Sequence, residues 1–171
     1  LVFGNLSGIK ATEYSKNIGS IPKVDDNDIR KIIQGATSIL LRENGNNPYL
    51  IHEELQKNMQ YNVGIIRTKK EIENGIKEID VLKSKFKDVK APGSSQFNPG
   101  WHEALALRNL LISAESVAKS ALIREESRGA HTREDFPSER EEWIKYNIIN
   151  KKGKDGKMET TKILRTNPDK E

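Results

Sequence analysis

The segment from Gly100 to Ser127 constrains the fold of this chain more than any other. Leu107, Leu110, Leu111, Ala114, Val117, Ala118, Ala121 and Leu122 recur at helical spacing and share one face. The spacing predicts one helix of roughly 28 residues, on the order of 40 Å long at ~1.5 Å per residue. A helix with so continuous an apolar face has to bury it against other elements. Ala114, Ala118 and Ala121 are small enough to let a neighbouring helix come close. The expected fold class is therefore mostly α: an antiparallel helical bundle of about four helices with a C-terminal β-hairpin tail.

The remaining segments supply the partners. Residues 1–17 read as a helix already under way, a stub continuing from a domain that precedes it. Gly4 and Gly8 there have the spacing that lets another backbone approach. Residues 25–137 are expected to form the bundle. Asp25 or Asp26 caps its first helix, on which Ile29, Ile32, Ile33, Ala36 and Leu40 form a stripe. A helix over about Tyr49 to Ile66 turns Ile51, Leu55, Met59 and Val63 inward. Thr68 and Glu71 have capping-box spacing, and Ile72, Ile76, Ile79, Phe86 and Val89 follow on one face. The long helix comes next, with Gly129 expected to close it in the left-handed C′ conformation. Residues 138–171 form the tail. Trp143 to Ile149 is rich in strand formers, Asp155-Gly156 is a hairpin-turn pair, and Met158 to Leu164 returns. A lone hairpin is marginal in water, so this one must pack on the helices or on a partner.

Several chemistries find no support. The chain has no cysteine, which excludes disulfides, thiolate nucleophiles and zinc–cysteine sites. His52, His102 and His131 have no metal-ligand spacing. The 29 basic residues nearly balance 25 acidic ones, the pattern of a solvated surface, and aromatics are too sparse for a base-stacking platform. No apolar run approaches the roughly 20 residues that cross a bilayer. Gly153-Lys154-Asp155-Gly156-Lys157 lacks the spacing of a phosphate loop and reads as a turn. His102-Glu103 looks like an acid–base pair, but neighbours in sequence do not face each other on a helix. Asn5-Leu6-Ser7 matches a glycosylation acceptor by accident.

Glu126 to Pro137, ESRGAHTREDFP, holds the densest cluster of charge. One reading is a helix C-terminus, with Arg124 and Arg128 at the negative end of the dipole. The other is an interface, because the planar fork of arginine suits two-point pairing with carboxylates and carbonyls. Composition leaves both open.

The stretch LLISAESVAKSALIREESRGAHTREDFP, Leu110 to Pro137, closely resembles the C-terminal helical domain of succinate dehydrogenase and fumarate reductase flavoprotein subunits. The resemblance rests on Ala114-Glu115, Ser120-Ala121-Leu122, Glu126-Ser127-Arg128-Gly129-Ala130-His131 and Arg133-Glu134-Asp135-Phe136-Pro137. Val63-Gly64-Ile65-Ile66-Arg67-Thr68 and Glu142-Trp143-Ile144-Lys145-Tyr146 agree in order, as does Leu1-Val2-Phe3-Gly4. L-aspartate oxidases share the fold and a related Ser-Arg-Gly motif, and adenylylsulfate reductase is a more distant likeness.

The resemblance implies a piece of a longer polypeptide whose parent interconverts succinate and fumarate with FAD. It implies partners in the FAD-binding domain of the same subunit and an iron–sulfur subunit. It also implies a cytoplasmic location at the inner face of the membrane, reached only through partner subunits, and no nucleic acid. The family's flavin-binding and catalytic residues precede the matched region, so no catalytic residue and no cofactor is expected in this chain. Arg128, His131, Arg133 and Asp135 are then candidates for interdomain contact. The competing reading is a free-standing basic module that binds protein, or nucleic acid through Lys145, Lys151, Lys152, Lys154 and Lys157.

Overall fold

The computed structural model describes residues 2–166. The chain divides into two compact units between Ala36 and Thr37. The first holds α1 (Val2–Asn17) and most of α2 (Asp26–Thr37), and neither helix buries a residue. Asp25 is the cap, its Oδ1 accepting from the Asn27 N–H at 2.8 Å. Ile29, Ile32 and Ile33 line up as their spacing requires, and all three are exposed. Nothing lies within 4 Å of a Cβ built on Gly4 or Gly8, so the close backbone approach expected there is not realised.

The second unit is built on α3 (Pro48–Asn62), α4 (Lys69–Phe86) and α5 (Pro99–Ile123), each packed on the other two. Their shared core takes Ile51 and Leu55 from α3, Ile72, Ile79 and Leu82 from α4, and Ala104, Leu107, Leu111, Ala114, Ala118 and Ala121 from α5. Ile39, Val63, Val89 and Ala91 complete it from the connecting segments. Mostly α with a C-terminal hairpin is the architecture that the periodicity predicts. The small residues at 114, 118 and 121 do face the core, whereas Leu110 and Val117 point away from it at 37% and 51% exposure.

Local chemistry sets the helix starts. Asn47 and Asn98 each accept a backbone N–H, from Tyr49 and Trp101, and each is followed by proline at the first helical position. Thr68 and Glu71 form the expected capping box in full. The helix ends depart from expectation. α3 stops at Asn62 instead of Ile66, because the chain next extends into β1 (Ile66–Arg67). α5 stops at Ile123, with Arg124 already extended, instead of running to Ser127. Gly129 is left-handed at φ 58° but closes no helix. It sits in a tight turn in which Arg128 and His131 exchange backbone hydrogen bonds at 2.8 and 3.1 Å.

Beyond that turn, β2 (Thr132–Arg133) pairs in parallel with β1, Ile66 opposite Thr132 and Arg67 opposite Arg133. Trp143 to Lys145, expected as strand, lies in a short 3-10 turn over Glu141–Lys145, and Trp143 is buried. The hairpin itself is present: β3 (Tyr146–Lys152) pairs antiparallel with β4 (Met158–Leu164). It packs on α5, where Asn150 Nδ2 donates to Ser116 Oγ and Ser120 Oγ, both at 2.8 Å. Lys119 also donates to the Met158 carbonyl at 3.0 Å.

Candidate functional site

The charged stretch after α5 folds back on itself and ties two helix ends together. Arg133 is fully buried, and its whole guanidinium is engaged within the chain. Nε and Nη2 donate to the two oxygens of Asp135 at 2.7 and 2.6 Å, a two-point pairing. Nη1 donates to the carbonyls of Ala121 at 2.9 Å and Leu122 at 3.2 Å. Those are carbonyls that the end of a helix leaves without partners. A side chain twelve residues downstream therefore caps α5, which is why the helix ends before Gly129. Asp135 reaches the other way, accepting from the Lys69 N–H in the first turn of α4 at 3.0 Å. The Arg133–Asp135 pair is thus a strut from the end of α5 to the start of α4.

Glu126 anchors a second strut and is also fully buried. Its carboxylate accepts from Arg124 Nε at 2.9 Å, from Arg128 Nη2 at 3.0 Å and from the Arg140 N–H at 2.9 Å. Arg128 goes on to pair with Glu139 at 3.0 Å. Burial pushes the Glu126 carboxyl up, but Arg128, the Arg140 amide and Arg124 outweigh it and hold the group at about 2. Arg133 holds Asp135 at about 2 against an opposing effect of burial. Both carboxylates are charged at neutral pH. Ser127 Oγ accepts from the Arg133 N–H at 2.8 Å and donates to the Phe136 carbonyl at 2.8 Å, which pins the loop between the struts.

His131 donates from Nε2 to the Arg124 carbonyl at 3.0 Å. Burial, and then the charges of Arg67, Arg133 and Arg124, depress its pKa below the ordinary histidine value. The structure therefore brings Arg128, His131, Arg133 and Asp135 into one place. All four bond within the domain; Arg133 is buried, whereas Arg128, His131 and Asp135 stay partly open.

Two participants escape sequence reasoning. Glu126 lies inside the quoted motif, and its position two residues from both Arg124 and Arg128 was the available signal. Arg67 is brought alongside Arg133 by the β1–β2 pairing, which no local pattern announces. Its Nε is buried and has no hydrogen-bond partner.

Elsewhere, ion pairs clamp the helices. Glu115, buried in α5, takes Lys83 of α4 and Lys119 of its own helix, the latter at 2.8 Å. Burial raises its carboxyl pKa, while the two lysines together bring it below the usual range. Glu103 pairs with His52 of α3 at 2.5 Å, not with the adjacent His102. Among the described residues no three His, Cys, Asp or Glu side chains converge as metal ligands. No described helix is long and apolar enough to cross a membrane.

A helical core with a hairpin laid along α5 is the fold of a C-terminal domain of flavoproteins. Residues 52–168 match the family described as "Fumarate reductase flavoprotein C-term", and the chain belongs to that family. One subunit of the fumarate reductase (CoM/CoB) of Methanothermobacter marburgensis is 35% identical over 156 residues, 88% of this chain and 27% of that protein. The succinate dehydrogenase flavoprotein subunit of Rickettsia conorii is 35% identical over 153 residues, 86% of this chain and 25% of that protein. The solved Sdh1 complex of Mycobacterium smegmatis in the apo form superimposes with a TM-score of 0.88 at 35% identity, covering 96% of this chain and 28% of that one. The chain spans only about a quarter of the length of the relatives it matches.

Proposed function

We propose that this domain buttresses the FAD-binding domain of the same flavoprotein subunit in succinate–fumarate oxidoreduction and supplies no catalytic group itself. The observation that carries this reading is the cross-braced end of the bundle. The buried Glu126, the more open Asp135 and three arginines hold the ends of α4 and α5 in one geometry, which suits a surface that has to fit a neighbour without yielding. The starts of α3, α4 and α5 are a poor fit for FAD, because at each one a side chain of Asn47, Thr68 or Asn98 already takes a backbone N–H that a dinucleotide phosphate would use. The flavin then belongs to the preceding part of the subunit. Its electrons pass to an iron–sulfur subunit, and the assembly lies at the inner face of the membrane, held there by its partners.

The test is excision. A flavoprotein subunit lacking this domain should express with much less bound flavin than the intact subunit. The 171-residue chain alone should show no flavin absorbance and no fumarate-dependent turnover. Full flavin occupancy in the truncated subunit would overturn the reading.

A further inference from the structure

The struts pair Asp135, Glu126 and Glu139 with other arginines and leave Arg67 over. Asp135 is committed to Arg133 and Lys69, Glu126 to Arg124 and Arg128, and Glu139 to Arg128. Arg67 has no such partner. Among the described residues nothing accepts a hydrogen bond from its Nε, which is sealed from solvent. The residue as a whole stays partly open to the surface. Its position is not an accident of a loose loop. The parallel pairing sets Arg67 opposite Arg133, and the Arg67 carbonyl accepts from the Glu134 N–H at 3.0 Å. Burial and the neighbouring Arg133 both work against its charge. His131, whose own protonation the Arg67 charge opposes, carries no negative charge in either form and cannot compensate it.

We infer that Arg67 is the docking arginine of this domain and that its guanidinium receives a carboxylate side chain from the FAD-binding domain. This deepens the buttress reading and rests on it. Charge complementarity selects the occupant. A fixed, half-buried cation with no ion pair of its own matches a carboxylate at two points through its two Nη groups, Nε being sealed. A single-point acceptor such as a carbonyl would leave most of the fork unused.

The experiment uses Arg67→Gln and Arg67→Lys in the 171-residue chain and in the intact flavoprotein subunit. The chain carrying R67Q should melt at or slightly above the wild-type temperature, since no internal bond is lost. In the subunit, R67Q should weaken the hold of this domain on its neighbour about tenfold or more, read as flavin release at lower urea. R67K should fall between, because an ammonium keeps the charge and loses the fork. A lowered melting temperature of the R67Q chain would make Arg67 an internal structural residue and overturn the inference. Unchanged flavin release in R67Q would do the same. If excision of the domain also leaves flavin bound, the buttress reading falls with it; if excision releases flavin, only the role of Arg67 falls. A wild-type chain that dimerises, and that R67Q makes monomeric, would assign a second copy. A wild-type chain stabilised by millimolar phosphate where R67Q is not would assign a free anion. Either result overturns the carboxylate.

Discussion

At the scale of single residues, the buried Arg133 and Glu126 and their partners, Asp135 among them, matter because charge is buried only where partners are complete. Removing one partner of a buried pair typically costs about 3–5 kcal/mol, since the other charge stays behind without compensation. The same arrangement makes stability depend on acid. Asp135 and Glu126 titrate at about 2, below their ordinary values of 3.8 and 4.5. The unfolded chain therefore binds more protons as the pH drops. The stabilisation is complete above about pH 5 and is lost as the pH falls toward 2. His131, also depressed, adds a contribution that is complete above its ordinary value of 6.5 and lost as the pH falls below it through the lower folded-state value. Urea midpoints measured from about pH 7 to pH 3 should fall first with His131 and then with the two carboxylates. Asp135→Asn should be less stable at neutral pH and show a flatter acid limb, because the group whose titration drives part of the loss is gone. A D135N acid limb as steep as wild type would show that the strut carries no linkage.

At the scale of elements, α3 and α4 meet where a side chain will not fit. A Cβ on Gly75 would lie 2.9 Å from Val63 Cγ2 and 3.0 Å from Asn62 Cβ. The Gly75 carbonyl also accepts from Asn58 Nδ2 at 2.9 Å, in the buried contact between the helices. Gly75→Ala would gain about 1 kcal/mol of helix propensity. Overpacking against Val63, itself buried at the end of α3, should cost about 1–3 kcal/mol and win. The expected result is a lower urea midpoint, and a raised one would show that the contact yields freely. Element type was legible wherever one face carried the signal: Ile51 and Leu55, Ile72 and Ile79, Leu107 and Leu111 lie where their periodicity puts them. Thr68 and Glu71 were legible for the same reason, since a capping box is a bond between residues three apart. The end of α5 was not. Gly129 is a good local stop signal, but Arg133 captures the helix carbonyls first.

At the scale of the whole chain, the two units differ in what holds them. Neither α1 nor α2 has a buried residue, whereas α3, α4 and α5 share a dense core. Helices without tertiary burial are marginal in water at these lengths. In the 171-residue chain, amides of 2–36 should exchange with deuterium within the fastest class, and core amides of 48–123 should approach the global unfolding limit. Slow exchange across α2 would mean that its isoleucines are covered.

The sequence by itself determined the helical class, the hairpin and its turn, the capping box of Thr68 and Glu71, and the family. Each of these rests on residues a few positions apart, or on a motif carried in one unbroken run. Only the tertiary structure decided the β1–β2 pairing, the truncation of α5, the choice of His52 as the partner of Glu103, and the isolation of Arg67. These depend on groups distant along the chain competing for the same carbonyls and carboxylates, and that competition is settled by which of them the packed core brings within hydrogen-bond reach.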